Sequence, residues 1–180
     1  VDSCINEDCD ELIDASGMIV MPGGVDVHTH FNLHSGDKVS CDDFLSGTIA
    51  AACGGTTCII DHPGFGPKGC SLHHQIDEYH KYADENAVID YSFHGVLQNA
   101  DVKTLDEMEE MVRHEGIQSF KAYLTYDFKL GDADIYKVLQ RLKDIGGILA
   151  VHCENDEIVN YLRCFYEKSG KTSAEYHALS

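Results

Sequence analysis

The sequence predicts an α/β fold in which parallel strands alternate with helices. Five short runs rich in Val, Ile, Thr, Phe and Tyr are separated by stretches whose apolar residues recur at helical spacing. Each strand with its helix takes roughly 30 residues, which is enough for a right-handed crossover to the next parallel strand. This alternation alone leaves two architectures open, a doubly wound open sheet and a (β/α)₈ barrel.

The individual elements follow from local composition. The predicted strands span residues 25–31, 56–62, 88–94, 119–126 and 148–155. The predicted helices span residues 42–53, 71–85, 102–115, 132–145 and 155–168. Leu105, Met108 and Met111 share one face of the third helix, which is expected to pack against a core. Asp132 is the predicted N-cap of the fourth helix, and Gly146 is predicted to end it.

The start of the chain differs from the rest. Residues 11–21 predict a short extended stretch with a turn at Ser16 and Gly17, and Pro22 breaks this stretch. We therefore expect residues 1–22 to lead into an α/β unit at residues 23–180. A complete barrel takes roughly 250 residues, so this unit is expected to be incomplete.

Composition disfavours several classes of function. The 180 residues include 13 Lys and Arg against 31 Asp and Glu, and a net charge of −18 disfavours binding to nucleic acids or anionic membranes. No apolar run reaches the roughly 18 residues of a membrane-spanning helix. The eight cysteines, which include Cys4, form no CxxC pair. We expect them to be buried free thiols in a cytoplasmic protein.

The end of the first predicted strand carries the first chemical signal. Alternate residues of a strand point the same way, so His28 and His30 project together and Thr29 projects to the opposite side. Two neutral imidazoles on one strand can bind one ion of zinc, iron, manganese or nickel. A pair of histidines lining a polar pocket would give the same pattern.

Two more polar residues interrupt apolar strands. Lys121 lies within SFKAYL, where a charged amine is costly unless it reaches solvent or pairs with a carboxylate. Burial would instead lower the pKa of the amine, which could then add CO₂ and become a carbamate that bridges two metal ions. His152 ends the apolar strand ILAVH. Together with the histidine pair, these strand-end residues predict a metal-dependent active site. His62 and His94 also end strands, and we expect them to line the pocket rather than to bind metal.

Several segments resemble the hydantoinase and dihydropyrimidinase family of cyclic amidohydrolases. They are VMPGGVDVHTHF, SCDDFLSGTIAAACGGTTCIIDH, AVIDYSFHG, SFKAYLTY, AVHCEN and YHALS. IIDHPGFGPKGC is most similar to bacterial phenylhydantoinase-type members. The resemblance covers residues 12–180 and implies a TIM-like (β/α)₈ barrel of which about the first five units are present. It also implies that residues 1–22 contain a remnant of a β-sandwich domain.

The resemblance implies two divalent metal ions, usually zinc, bridged by carboxylated Lys121 and a hydroxide. His28 and His30 would bind the more buried ion, and His152 would bind the second. Tyr126 would donate a hydrogen bond to the substrate carbonyl. Family members have a further histidine ligand and an aspartate that moves the proton, both expected beyond the last residue of this sequence. They are commonly homotetramers.

The implied reaction opens a hydantoin or dihydropyrimidine ring by hydrolysing a carbon–nitrogen bond of the cyclic amide, which gives an N-carbamoyl amino acid. Phe31, Leu33 and Phe65 follow the first two strands and are candidates for a pocket around the ring substituent. Packing beneath a loop would account for these three residues equally well.

Two alternatives remain open. An allantoinase or a dihydroorotase would use the same chemistry, although a dihydroorotase needs a cationic residue for its substrate carboxylate and no arginine follows HTH. A non-catalytic scaffold, like the collapsin-response-mediator relatives, would keep the fold without the metal. The presence of His28, His30, Lys121 and His152 argues against a scaffold.

Overall fold

The structure is a computed structural model that describes residues 8–180, so Cys4 and the start of the predicted lead-in lie outside the described residues. The strands are β1 (Gly24–Thr29), β2 (His34–Ser35), β3 (Lys38–Val39), β4 (Thr56–Asp61), β5 (Asp90–Phe93), β6 (Gly95–Val96), β7 (Ser119–Tyr123) and β8 (Ile148–His152). The helices are α1 (Phe44–Cys53), α2 (Leu72–Ala83), α3 (Val102–Glu110), α4 (Asp132–Ile145), α5 (Asp156–Lys168) and α6 (Ala174–His177), and a π-helix (Met111–Glu115) continues α3.

The long strands are parallel and follow one another in chain order. β4 pairs with β1 and β5, and β7 pairs with β6 and β8. β5 lies within the predicted strand at residues 88–94, and β6 begins directly after the last residue of that prediction, His94. The five predicted strands and the α/β class are therefore confirmed, with strand ends shifted by a few residues. A doubly wound sheet reverses its strand order at one point, and no such reversal occurs among the long strands of residues 8–180.

Helices cover one face of the sheet and leave strand-end residues on the other. Phe120 and Ala122 of β7 are fully buried in a core that also contains Met108 and Met111. The predicted core face of the third helix is therefore confirmed. Because side chains alternate along a strand, Lys121 points away from this helix-covered core.

Two helix ends and the lead-in test local predictions. Gly146 ends α4 in the left-handed conformation, with φ of 81°, as predicted. The predicted N-cap of α4 was wrong: Gly131 occupies that position, and Asp132 is the first helical residue. Its carboxylate still lies in the first turn, where the helix dipole favours an acid.

The predicted turn at Gly17 is confirmed by a φ of 78°. Residues 8–23 contain no paired strand.

Apolar side chains remain exposed at the outer strands. Val25 and Val27 of β1 and Ile148 of β8 are all more than half exposed, and α5 buries none of its residues within the described structure.

The expectation of buried thiols was wrong, since none of the seven described cysteines is fully buried. Within residues 8–180, no helix has the length and apolar character needed to cross a membrane.

The packing between α4 and β7 can be tested at Gly147. A Cβ added there would lie 2.6 Å from Cδ2 of Leu142 and 3.0 Å from the carbonyl oxygen of Gln118. Because Leu142 is buried and the carbonyl belongs to the backbone, we expect Gly147→Ala to lower the free energy of unfolding by about 1–3 kcal/mol. Gly24→Ala is the control, since its Cβ would meet only ordinary contacts, the nearest at 3.4 Å. Urea denaturation followed by circular dichroism measures both, and equal losses would contradict the prediction.

Candidate metal centre

A buried carboxylate joins the carboxyl ends of β1 and β4. Thr29 is the register partner of Asp61, and its hydroxyl donates to Oδ1 of Asp61 at 2.6 Å. The backbone N–H of Phe31 donates to the same oxygen at 3.0 Å. Burial raises the pKa of Asp61 to about 6, although both hydrogen bonds oppose the shift. Thr29 therefore faces away from its neighbours His28 and His30, as the strand pattern predicted.

Three histidine side chains gather on the other face of these strand ends. The Nε2 atoms of His28 and His30 are 3.3 Å apart. The ring centroid of His62 lies 4.3 Å from that of His28 and 5.1 Å from that of His30. One nitrogen from each ring lies within 4.8 Å of the other two, so one cation can contact all three rings.

The His62 ring is buried without polar partners. It is only 1% exposed, and neither of its ring nitrogens has a hydrogen-bond partner among residues 8–180. Burial, together with the neighbouring cationic groups, lowers the pKa of His62 to about 3. Burial also lowers the pKa of His30, whose Nδ1 is likewise unpaired in the described residues. Both imidazoles are therefore neutral near pH 7 and retain a lone pair for a metal ion.

A fourth ring, that of His94, stacks on His62 at 4.1 Å but has different contacts. Its Nε2 lies 2.9 Å from the carbonyl oxygen of Val27 and must donate to it, which fixes the tautomer. Its Nδ1 then accepts from the hydroxyl of Ser119 at 2.7 Å. Both nitrogens of His94 are in use. The sequence offers no reason to distinguish His62 from His94. Their contacts differ, because both nitrogens of His94 have hydrogen-bond partners and those of His62 have none among residues 8–180.

Lys121 lies at the centre of β7 and is 6% exposed. Burial lowers the pKa of its amine. The positive charge of Lys121 also contributes to the lowered pKa values of His30, His62 and His94. The alternative in which this lysine extends into solvent does not fit its burial.

His152 lies farther along the sheet, on β8. Its ring stacks on Tyr123, with centroids 5.8 Å apart, and Nζ of Lys121 lies 5.5 Å from the same tyrosine ring. Nε2 of His152 lies 2.7 Å from a carboxylate oxygen of Glu154 and 3.5 Å from the hydroxyl of Tyr126. His152 is not part of the three-histidine cluster. It forms a second group with Tyr126, beside Tyr123.

Tyr126 has an unusual backbone conformation. Its φ of 73° lies in the left-handed region, which costs a residue with a Cβ about 1–2 kcal/mol. Backbone hydrogen bonds close the turn around it, since Leu130 donates to Tyr123 at 2.8 Å and Lys129 donates to Tyr126 at 3.3 Å. The tyrosine side chain is held over His152 by this turn.

The candidate pocket residues separate into two groups. Phe31 packs on Phe44, with ring centroids 5.6 Å apart, and belongs to the edge of the core. Leu33 is half-buried, and its backbone N–H donates to Ser40. Phe65 lies 5.0 Å from Tyr123 between ring centroids, beside the group that contains His152. Among the three, only Phe65 contacts Tyr123, whose ring stacks on the predicted site residue His152.

The donor set at the first cluster fits a metal ion. Three imidazoles converge, and two of them have buried unpaired nitrogens within the described residues. Such atoms require an explanation, and a bound ion supplies one. Parallel strands in chain order with this cluster at their carboxyl ends are typical of α/β enzymes with a metal centre.

Comparison with known proteins identifies the family. Residues 19–178 match the Amidohydrolase family, and the chain belongs to it. It is 56% identical over 172 residues to a D-phenylhydantoinase of Escherichia coli O1:K1 / APEC, covering 96% of this chain. It superposes on a dihydropyrimidinase from Brevibacillus agri NCHU1002 with a TM-score of 0.91 at 40% identity, covering 98% of this chain. A D-hydantoinase from a Bacillus sp. AR9 gives a TM-score of 0.84 at 40% identity, covering 88% of this chain.

These relatives are much longer than this chain. The chain spans 37% of the D-phenylhydantoinase, 39% of the dihydropyrimidinase and 35% of the D-hydantoinase. The predicted resemblance to hydantoinases and dihydropyrimidinases is confirmed over nearly the whole sequence.

The hydrogen bond between Thr29 and Asp61 can be tested by removing its donor. Thr29→Val should lower the free energy of unfolding by about 1.5–3 kcal/mol at about pH 8. At that pH the carboxyl group, with a pKa of about 6, is ionised and loses one of its two donors. Thr29→Ser keeps the hydroxyl and should cost much less. If urea denaturation gives equal losses for both variants, packing rather than the hydrogen bond holds these strand ends.

Proposed function

We propose that this chain forms part of a metal-dependent hydrolase that opens a cyclic amide ring, a hydantoin or a dihydropyrimidine, to an N-carbamoyl amino acid. The observation that carries the proposal is the cluster of His28, His30 and buried His62 at the carboxyl ends of two parallel strands, together with the buried amine of Lys121 on β7. The names of the similar proteins, D-phenylhydantoinase and dihydropyrimidinase, support the same substrate class. Neither alternative, another cyclic amidohydrolase or a scaffold, has a specific observation in its favour.

The proposed metal site contains two divalent ions, most simply zinc. His28 and His30 would bind the more buried ion, His152 would bind the second, and carboxylated Lys121 would be a ligand of both. The low exposure of Lys121 supports this role, because burial lowers the pKa of the amine and only a neutral amine adds CO₂. When bound, a pair of such ions supplies a nucleophilic hydroxide near neutral pH and polarises the carbonyl.

The protein's own groups position the reaction. Tyr126 donates its hydroxyl hydrogen to the ring carbonyl oxygen as negative charge develops there. Its hydroxyl lies 3.5 Å from Nε2 of His152, which supports a role for Tyr126 beside the ion that His152 is proposed to bind. Glu154, at 2.7 Å from the same nitrogen, orients the His152 ring. Phe65 is the pocket residue best placed to contact an apolar ring substituent, given its contact with Tyr123.

The proposal extends to fold and assembly. The strands, in chain order, are proposed to be the first five of a (β/α)₈ barrel. The exposed apolar residues of β1 and β8 support this, since further strands would pair there. Residues 1–22 are proposed to belong to a β-sandwich domain. The seven free cysteines of residues 8–180 are compatible with a cytoplasmic location, and a homotetramer is proposed from the family resemblance.

The bridging role of Lys121 is tested in the full-length protein that contains this sequence. We expect the protein to hydrolyse 5-phenylhydantoin, and the reaction is measured by the formation of the N-carbamoyl product. A chelator should abolish this activity. Lys121→Met should reduce kcat/KM by at least about 100-fold, because loss of a metal ligand costs no less than loss of a group that orients one. Metal analysis should show fewer than two ions per chain. Lys137→Met, at an exposed ion pair with Asp134, is the control. Full activity of Lys121→Met would contradict the bridge.

The role of Tyr126 is tested by Tyr126→Phe, which keeps the ring and removes the hydroxyl. We expect kcat to fall by about 10²-fold with little change in KM, because the hydrogen bond strengthens as charge develops on the carbonyl oxygen. Tyr123→Phe is the matched control on the same segment. An unchanged kcat for Tyr126→Phe, or equal losses in both variants, would remove Tyr126 from the mechanism.

A further inference from the structure

The turn that carries Tyr126 lies beyond the last paired residues of β7 and β8. These strands pair in parallel up to Tyr123 opposite His152, and the N–H of Leu124 donates to the carbonyl oxygen of His152 at 3.0 Å. Residues 125–129 lie outside the strands. The distance between the Tyr126 hydroxyl and the His152 ring therefore depends on contacts outside the sheet.

A single carboxylate, that of Asp156, contacts both sides of this turn. The hydroxyl of Thr125, a residue only 4% exposed, donates to Oδ1 of Asp156 at 2.9 Å. The ammonium group of Lys129 donates to Oδ2 of the same carboxylate. These two hydrogen bonds, that from Lys129 first, lower the pKa of Asp156, and bonds to an ionised acceptor are stronger than neutral ones. Both flanks of Tyr126 are thus fixed to a residue that follows His152 by four positions.

Asp156 is not needed to cap the helix in which it lies. It is the first residue of α5, and the cap is Asn155, whose side chain accepts from the N–H of Ile158 at 3.1 Å. The next residue, exposed Glu157, also places an acid in the first turn, where the helix dipole favours it. Removal of the Asp156 carboxylate would therefore break the contacts to the turn and keep the helix cap.

The turn needs such contacts because its central residue is strained. Tyr126 has a φ of 73°, a left-handed conformation that persists in a tyrosine only where the surroundings impose it. Two backbone hydrogen bonds close the turn from within. They determine its shape, whereas the contacts to Asp156 determine where it lies over β8. The ring centroid of Tyr126 lies 5.3 Å from that of His152.

We propose that Asp156 is a positioning residue that holds the Tyr126 hydroxyl beside His152. It does so by accepting hydrogen bonds from Thr125 and Lys129, on either side of the tyrosine. The inference rests on the proposed function and deepens it, because it names the residue that places the hydrogen-bond donor for the ring carbonyl. Asp156 acts through Tyr126, and a donor displaced by roughly 1 Å can lose about 100-fold in rate.

The experiment compares Asp156→Ala with Glu157→Ala in the full-length protein that contains this sequence. Each variant removes one acid from the first turn of α5, but only Asp156 has the contacts to the turn of Tyr126 described above. With 5-phenylhydantoin as substrate, we expect Asp156→Ala to lower kcat by at least about 10-fold and to change KM by less than about 2-fold. Glu157→Ala should retain the kcat of the parent.

A double-mutant cycle separates positioning from a general loss of structure. In Tyr126→Phe the hydroxyl is already absent, so adding Asp156→Ala should lower kcat further by less than about 2-fold. A merely structural role would multiply the two losses. Thr125→Val removes one of the two hydrogen bonds and keeps the shape of the side chain, so it should cause a smaller loss of kcat that also disappears in the Tyr126→Phe background.

Hydrogen exchange gives a readout that does not need activity. The N–H groups of Lys129 and Leu130 close the turn. We expect a peptide covering residues 123–130 to exchange at least about 10-fold faster in Asp156→Ala than in the parent, because the turn opens locally. The same peptide of Glu157→Ala should exchange at the parent rate.

The results distinguish this inference from the proposed function. A parent-like kcat in Asp156→Ala, multiplied losses in the double variant, or unchanged exchange of the turn would overturn the positioning role and leave the hydrolase proposal intact. Faster exchange in Asp156→Ala, combined with a full-length parent that hydrolyses no cyclic amide, would support the contact between Asp156 and the turn and count against the proposed function alone.

Discussion

The parallel pairing of β1 with β4 is the constraint on which the site depends. It brings Thr29 opposite Asp61 and sets His62 beside His28 and His30. On one face a single buried carboxylate binds the ends of both strands, and on the other face three imidazoles meet. A shift of one residue in this register would exchange the two faces and disperse the histidines.

Much of the fold could be predicted because its signals are local. Strand–helix alternation predicted the five strands. It put Lys121 inside the fourth of them, between Phe120 and Ala122. Those two neighbours are fully buried on the helix side, so the lysine side chain has to enter the opposite face. The sequence could not decide between a doubly wound sheet and strands that pair in chain order, since both architectures have the same local pattern. The observed strand pairing was needed for that choice.

The site was harder to predict, because the state of a histidine depends on distant atoms. His62 and His94 both follow apolar strands, and the sequence offered no reason to separate them. The difference lies in Val27 and Ser119, which are 67 and 25 residues from His94 along the chain and use both of its nitrogens. The conformation of Tyr126 is similar, since a φ of 73° at a tyrosine comes from the surrounding turn and not from the residue's own preference.

The features that oppose folding are concentrated at one end of the sheet. A buried imidazole without partners among the described residues, a carboxyl group whose pKa burial raises to about 6 and a left-handed tyrosine lie at or just beyond strand ends. A buried amine lies within β7. The core beneath the helices contains apolar residues such as Phe44, Phe93 and Phe120, packed without such costs. An apolar ring of similar shape at position 62 would avoid the cost of two nitrogens that have no partner among the described residues. The three neighbouring imidazoles fit a bound cation, which would give the unpaired nitrogens a partner.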